Sequence, residues 1–206
     1  MSIFVPKKVA KTQMGSLFRN PLVWLVRFRH RRGYGVHSPF AFDFITGVIY
    51  ERSAYYAYSE LAQLHPWWVR LFGLRPLVRC RLLFRLANYV HTKRACIVGN
   101  MPVETEYVRA ALPNVTLLRS EEALEHGADF VLVDPNHSDV LPQRFAASMC
   151  APAMLVVTDI HTSEPGRKSW QQLLAAENVV VTFDLYDFGI AFFDRRLTKQ
   201  NYIVNF

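Results

Sequence analysis

The chain has 206 residues, 51% of them hydrophobic, which suits one large domain and excludes a disordered chain. Its net charge of +7 is unevenly divided: residues 1–94 carry sixteen lysines and arginines against three acids, a net of +13, and residues 95–206 carry eight against fourteen, a net of −6. No segment approaches the roughly 18–20 apolar residues of a membrane-spanning helix, and no signal peptide is recognised, so we expect a cytoplasmic protein that is at most peripheral to a membrane.

The uneven charge suggests two units: a basic helical N-terminal extension over residues 1–93 and an α/β domain over residues 94–206. A basic unit indicates an anionic partner, either nucleic acid or a lipid surface. Attraction between the two units across an internal interface explains the same asymmetry equally well. The three cysteines are widely spaced and contain no CxxC pair, which indicates reduced thiols.

In the extension, apolar residues at helical spacing predict four helices. The first spans residues 21–32, and the second begins after Ser38, a suitable N-cap that is followed by Pro39. Two further helical regions are predicted over residues 59–72, with an interruption near Pro66, and over residues 76–89. In the last of them we expect the leucines to face inward and four arginines to face largely outward: Arg75, Arg79, Arg81 and Arg85.

The first of these helices is a candidate anion-binding surface. It combines Trp24 and Phe28 with four arginines, namely Arg27, Arg29, Arg31 and Arg32. Arginines that pair with phosphates beside aromatic rings that stack on bases are typical of nucleic-acid binding. A basic amphipathic helix with Trp and Phe is equally typical of a protein that lies on an anionic bilayer. A solvated helix face explains the pattern as well as either.

From Arg94 onward, β-branched apolar runs alternate with helical segments, which predicts a parallel α/β sheet. The last two predicted strands are joined only by residues 186–188, too few for a crossover helix, so they form an antiparallel hairpin. Helices are predicted over residues 103–112, 120–126, 139–149 and 166–177. Strands are predicted over residues 95–99, 115–118, 128–134, 153–159, 179–185 and 189–194.

Four segments occur in a fixed order: Gly-Val-His-Ser-Pro-Phe at 35–40, Phe-Val-Leu-Val-Asp-Pro-Asn-His at 130–137, Val-Val-Thr-Asp-Ile-His at 156–161, and Val-Thr-Phe-Asp-Leu-Tyr-Asp-Phe-Gly-Ile at 181–190. In that order they resemble class I S-adenosylmethionine-dependent methyltransferases, specifically a small group with a helical N-terminal extension. The resemblance implies an α/β, Rossmann-like sheet that ends in an antiparallel hairpin. It also implies S-adenosylmethionine as the cofactor.

The cofactor loop departs from the pattern that the resemblance implies. In class I enzymes an acid stands two residues before the first glycine, and further glycines stand two and four residues after it. Gly99 and Asn100 remain the candidate cofactor-binding residues, but the three other positions hold Ile97, Met101 and Val103. Side chains at Met101 and Val103 would occupy the space that glycines leave for the cofactor.

The next part of the sheet is shortened. Leu118 and Arg119 stand where the family carries the acid that holds the ribose hydroxyls. Only residues 119–127 are available for the following strand and its helix, whereas a typical helix alone takes about 11–12 residues. We therefore predict a sheet that is truncated on the side of the adenine pocket.

Polar side chains follow two of the predicted parallel strands. Asp134 ends one predicted strand, and Asp159 ends the next with His161 two residues beyond it, at the edge where open α/β sheets bind ligands. These three are the candidate catalytic residues. Related metal-dependent O-methyltransferases hold a divalent cation with acids at comparable positions, which makes Asp134 and Asp159 candidate metal ligands. The other interpretation is that these groups cap strand and helix ends.

These observations favour a methyltransferase-related protein with a degenerate cofactor site, which acts as a non-catalytic binding or scaffold protein and pairs with a second copy or a related chain. The first alternative is an active, O-methyltransferase-like enzyme with a reshaped pocket, in which Asp134 and Asp159 position the acceptor or a metal. The second alternative is a peripheral binder of nucleic acid or a membrane surface that acts through residues 19–32.

Overall fold

The structure is a computed structural model that describes residues 21–30, 33–138, 140–149 and 152–206. Within these ranges a seven-stranded sheet is covered by helices on both faces. The strands are β1 Arg94–Val98, β2 Thr116–Leu118, β3 Phe130–Val133, β4 Met154–Thr158, β5 Val181–Asp184, β6 Phe188–Phe192 and β7 Gln200–Ile203. The helices are α1 Pro21–Val26, α2 Pro39–Phe44, α3 Tyr58–Leu61, α4 Trp67–Leu71, α5 Arg75–Tyr89, α6 Pro102–Ala110, α7 Ser120–His126, α8 Pro142–Ser148 and α9 Glu164–Leu174.

The strands follow the order β2-β1-β3-β4-β6-β5-β7. The first four are parallel to one another, whereas β6 is antiparallel to both β4 and β5. A parallel sheet that is completed by an antiparallel hairpin is the class I methyltransferase arrangement, so the fold predicted from the sequence is confirmed. The truncation is confirmed as well, because only α7 lies between β2 and β3 and β2 is an edge of the described sheet.

One strand was not predicted. β7 pairs in parallel with β5 and forms the other edge of the sheet, beyond the hairpin. It has only four residues, and Tyr202 is the one that is buried. An edge strand with one buried side chain lacks the continuous apolar run by which the central strands were recognised.

Two helices of the extension are shorter than predicted, whereas the fourth, predicted over 76–89, is confirmed as α5 Arg75–Tyr89. α1 ends at Val26 and is followed by a 3-10 turn over Phe28–His30, while Arg31 and Arg32 lie outside the described residues. The predicted third helix is divided into α3 and α4 by the 3-10 turn Ala62–Leu64. In the described part of the chain, no helix is long and apolar enough to cross a bilayer.

The second helix begins as predicted, with the Ser38 hydroxyl accepting a hydrogen bond from its first turn, and it continues beyond α2 as a π-helix over Ile45–Ile49. Arg85 of α5 ends up buried against this π-helix, so the prediction that it faces outward is wrong. Its Nε donates to the Val48 carbonyl at 2.7 Å and its Nη2 to the Ile49 carbonyl at 3.0 Å. The guanidinium is drawn inward because it satisfies carbonyls that would otherwise be buried without donors.

Alternate residues of the central strands pack against different helices. In β3, Phe130 belongs to an apolar layer with the extension and α6, whereas Val131 belongs to a layer with α7, α8 and α9. The first layer joins the extension to the sheet: Phe44 of α2 packs on Phe183 of β5 with ring centroids 4.7 Å apart. The two units distinguished by charge therefore share one apolar layer.

Candidate functional site

The carboxyl ends of β1, β3 and β4 lie side by side, so the structure brings Gly99, Asp134 and Asp159 to one edge of the sheet. We call this edge the rim, and define it by Gly99, Asn100, Asp134, Asp159 and His161. Gly99 has a φ of +114°, and a Cβ on it would lie 2.9 Å from the Asp134 Cβ. The space that a side chain would take at Gly99 is therefore filled by Asp134 of the same chain.

The Asp134 carboxylate is buried, and its hydrogen bonds are made within its own loop. Its Oδ1 accepts from the backbone N–H of Asn136 at 2.9 Å and from the Asn136 Nδ2 at 3.0 Å. Its Oδ2 lies 2.7 Å from Nδ1 of His137. The Asn136 Nδ2 also lies 3.4 Å from Oδ2 of Asp159, so one amide links the two carboxylates that were predicted to bind a metal.

Asp159 follows β4 with a φ of +57°, in the left-handed region that residues with side chains rarely adopt. Its Oδ1 accepts from the Thr162 hydroxyl at 3.1 Å and lies 3.8 Å from a guanidinium nitrogen of Arg79. The first turn of α9 packs closely on this residue, because a Cβ on Gly166 would overlap the Asp159 carbonyl. Both the backbone and the side chain of Asp159 are thus fixed by neighbouring elements.

Three arginines of the extension reach carboxylates at the rim or in the adjoining β5–β6 turn. The nitrogen–oxygen distances are 2.7 Å for Arg27 with Asp184, 2.8 Å for Arg75 with Asp187, and 3.8 Å for Arg79 with Asp159. The basic extension therefore contacts the acidic domain across an internal interface. The prediction that Arg75 and Arg79 face largely outward is wrong, because these acids lie on the side of α5 that carries the two arginines.

His161 forms a cluster with Arg27 and Asp184. Its Nε2 lies 2.6 Å from Oδ2 of Asp184, and its ring stacks on Tyr186 with centroids 5.2 Å apart. Because a carboxylate only accepts, Nε2 carries the proton, and the 3.1 Å approach of an Arg27 nitrogen to the same atom is a packing contact. Burial raises the pKa of Asp184, but the hydrogen bonds from His161 and Arg27 outweigh burial and lower that pKa to about 2.

The segment after Gly99 turns directly into a helix. Gly99 and Asn100 are exposed, whereas Met101 is only 8% exposed and belongs to the apolar layer that the extension shares with the sheet. Val103 packs against the same layer. The Met101 carbonyl accepts from the N–H of Thr105 at 3.0 Å and from its hydroxyl at 2.7 Å, which fixes the first turn of α6. The side chains of Met101 and Val103 are therefore part of the core.

Among the candidate anion-binding arginines, Arg27 is already occupied by a carboxylate. Two of its nitrogens lie 2.7 and 3.2 Å from the two oxygens of Asp184, and its guanidinium lies over the Tyr186 ring. Arg29 is exposed. The other two, Arg31 and Arg32, lie outside the described residues.

Sequence reasoning missed the partners of the predicted site. It did not identify Asp184 or Asp187 as partners for arginines of the extension. The charge asymmetry was the available signal, since it indicated attraction between the two units. It could not identify the pairs, because Arg27 and Asp184 are separated by 157 residues of sequence.

A metal site finds no support in the described part of the chain, where no group of three or more His, Cys, Asp or Glu side chains is placed to hold an ion. A cavity of about 580 Å³ lies at the opposite edge of the sheet, where β1, β3 and β4 begin. Its Asp129 accepts from the backbone N–H groups of Lys93 and Arg94, and its Asp194 pairs with Arg196. The cavity is thus remote from the rim and contains none of the predicted site residues.

Comparison with known proteins gives structural matches alone. No protein-family model matches the chain, and no curated protein matches it. One similar solved structure is the O-methyltransferase TomG from Streptomyces achromogenes, involved in tomaymycin synthesis and in complex with SAM; it is 16% identical, with a TM-score of 0.43 over 69% of this chain and 91% of that one. Another is cofactor-bound Rv0187 from MTB, which is 13% identical, with a TM-score of 0.36 over 85% of this chain and 98% of that one. The assignment of the fold rests on the strand order of this chain.

Proposed function

We propose that this chain is a methyltransferase-related protein that has lost the family's cofactor site and acts as a non-catalytic binding or scaffold protein. The observation that carries the proposal is that the carboxylates at the rim are already engaged by groups of the same chain. Asp134 accepts from its own loop and Asp159 faces Arg79, while His161 donates to Asp184. A ligand at the rim would have to displace these partners.

The cofactor loop supports the same proposal. Met101 and Val103 pack in the core at positions where the family carries glycines, and Leu118 ends β2 where the family carries the ribose-binding acid. The truncation removes the strand that would bring the adenine pocket. The residues present do not fit S-adenosylmethionine as the family holds it, so no methyl-transfer step is assigned to them.

In this proposal the chain acts together with a partner. Among the described residues, β2 is an edge strand of three residues beside the truncated part of the sheet. The free N–H and C=O groups of an edge strand are a template for a strand of another chain. We expect that partner to be a second copy or a related chain, and native mass spectrometry of the purified protein tests for the former.

Calorimetric titration with S-adenosylmethionine and S-adenosylhomocysteine tests the loss of the cofactor site. We expect no binding heat up to about 1 mM ligand, which corresponds to less than about 4 kcal/mol of binding free energy. Micromolar binding would refute the proposal. The variant Asn100→Trp is the control for any heat observed, because a bulky side chain on this exposed loop blocks binding at the rim and leaves binding elsewhere unchanged.

One observation favours a second candidate, an active methyltransferase with a reshaped pocket. His161 is about one third exposed and is oriented by Asp184 through Nε2, which leaves Nδ1 as the nitrogen that can accept a proton. In that case His161 would be the general base for an acceptor hydroxyl. The same titration separates the two candidates, since an enzyme of this class must bind its cofactor.

A further inference from the structure

A compact apolar surface lies on α4 and the residues beside it. Trp67 is 66% exposed, and Leu71 and Phe72 are each 69% exposed. Leu64 and Trp68 are exposed next to them. We call these five residues the α4 patch. A contiguous set of exposed large apolar side chains is uncommon on a soluble protein and marks an interaction site.

The α4 patch lies on a segment whose backbone is ordered by packing and hydrogen bonds. Val69, on the inner side of α4, is only 2% exposed and anchors the helix in the core. The helix ends in hydrogen bonds from the Phe72 N–H to the Trp68 carbonyl at 3.2 Å and from the Leu74 N–H to the Val69 carbonyl at 3.1 Å. The exposed side chains therefore project from an ordered backbone, which reduces the conformational entropy lost on binding.

The sequence beside the α4 patch is basic, but most of its cations are already engaged. Residues 61–103 contain seven lysines and arginines and no aspartate or glutamate, yet Arg75, Arg79 and Arg94 pair with carboxylates and Arg85 is buried. Arg70 lies within α4 and is exposed, and no carboxylate of the described residues forms an ion pair with it. The combination of large apolar side chains with the exposed cation of Arg70 complements a surface that is both apolar and anionic.

A second exposed apolar segment lies in α1. Leu25 and Val26 of α1 are 65% and 77% exposed. The Asn205 Nδ2 donates to the Trp24 carbonyl at 3.1 Å, and the Phe206 carbonyl accepts from Arg75, three residues beyond the α4 patch, at 3.1 Å. The last two residues of the chain thus connect α1 to the beginning of α5.

We propose that the α4 patch inserts into the interfacial region of an anionic lipid bilayer, with Arg70 and Arg29 against the headgroup phosphates. A helix bound in this way lies in the plane of the membrane, with its apolar side chains about 5–10 Å into the boundary between headgroups and acyl chains. Tryptophans favour this interfacial depth. Leucine and valine side chains cannot stack on bases, so the aliphatic part of the surface favours lipid over nucleic acid.

Co-sedimentation of the full chain with vesicles tests the proposal. The vesicles are phosphatidylcholine alone, or phosphatidylcholine and phosphatidylglycerol at three to one. We expect binding to the anionic vesicles, a blue shift of tryptophan emission, and much weaker binding to the neutral ones. The double variant Leu71→Ser/Phe72→Ser should lower the partition coefficient by about tenfold or more, because two large apolar side chains no longer leave water.

The matched control is Leu141→Ser, which removes a leucine that is 49% exposed directly before α8, a helix that packs in a different apolar layer from α4. It should bind vesicles like the wild type, and both variants should keep the wild-type melting temperature. The absence of anionic-vesicle binding, or equal binding by the double variant, would overturn the proposal. So would a dimer that the double variant dissociates, or binding to duplex DNA that competes fully with the vesicles.

Discussion

Asp184 accepts hydrogen bonds from His161 and Arg27, and its carboxylate is largely withdrawn from solvent. Moving a carboxylate out of water is costly, so the ionised form persists only because these donors compensate for the lost hydration. The lowered pKa of Asp184 reflects that compensation. Its charge therefore contributes to the stability of the fold, whether or not the rim carries out any chemistry.

The variant Asp184→Asn should show this contribution as a pH-dependent loss of stability. The folded-state pKa of about 2 lies below the ordinary value of 3.8, so the stabilisation is present above about pH 4 and is lost as the pH falls towards 2. We expect the variant to unfold about 2 kcal/mol more easily than the wild type at pH 7, with the difference shrinking below pH 4. Urea denaturation between pH 2.5 and 7 measures it.

Glu164→Gln is the matched control, because it removes a carboxylate that is 78% exposed and paired with a neighbouring arginine on the same helix. Exposed pairs of this kind contribute about 0–1 kcal/mol, so this variant should follow the wild type at every pH. Suppose that the difference in free energy of unfolding between Asp184→Asn and the wild type were the same at pH 3 and pH 7. The ionised form of Asp184 would then not stabilise the fold, which would contradict the role inferred for its hydrogen bonds with His161 and Arg27.

The predicted site residues could be placed from the sequence, but their partners could not. Asp134 and Asp159 follow apolar runs that form neighbouring parallel strands, and the ends of such strands meet at one edge. Their surroundings depend on long-range contacts: Asp159 faces Arg79 of the extension, and His161 faces Asp184 of another strand. Local patterns carry no information about which distant charge meets them.

At the scale of elements, α9 packs closely against β6 at a single glycine, Gly189. A Cβ on Gly189 would overlap the ring of Trp170, which lies against the strand. Every residue of β6 is buried, so the strand has no room to withdraw from the helix. The φ of Gly189 is not positive, so its backbone conformation does not call for glycine. Close packing against Trp170 is therefore the reason that glycine is required there.

The variant Gly189→Ala should lower the free energy of unfolding by about 2 kcal/mol, because overpacking a buried contact forces side chains or backbone to shift. Gly47→Ala is the control, since a Cβ there meets nothing within 4 Å and a helical alanine costs less backbone entropy than glycine. Urea denaturation gives the stabilities, and near-ultraviolet circular dichroism reports on Trp170. Equal stability of Gly189→Ala and the wild type would contradict the contact between α9 and β6.

The central strands were predictable because both of their faces are buried, so their sequences are continuous apolar runs. The same reasoning failed for β7, where Gln200 and Asn201 are exposed and only the contact with β5 makes the segment a strand. It also failed for α5. The leucines of that helix were recognised by their period, but its arginines also face protein, and helical spacing cannot distinguish a carboxylate or carbonyl partner from water.

At the scale of the whole molecule, the charge boundary near Arg94 does not coincide with a boundary in the core. Phe44 of the extension lies within 5.0 Å of Phe192 and 4.7 Å of Phe183, measured between ring centroids. Leu82 and Leu83 of α5 belong to the same buried layer as Leu132 of β3. The extension thus covers one face of the sheet together with α6, and the ion pairs at the rim join the two units at its border.

We therefore predict that residues 94–206 do not fold alone, although their sequence reads as a self-contained α/β domain. Without the extension, one face of the sheet would expose aromatic and aliphatic side chains to water, and a domain of this size has only a small net free energy of folding.

The isolated fragment should lack the near-ultraviolet circular dichroism of the intact chain and bind a hydrophobic dye. Co-expression with residues 33–93 should restore a folded complex, because these residues supply the missing side of the apolar layer. A fragment that unfolds cooperatively by itself would show instead that the extension is a separable domain and that the shared layer contributes little to the fold.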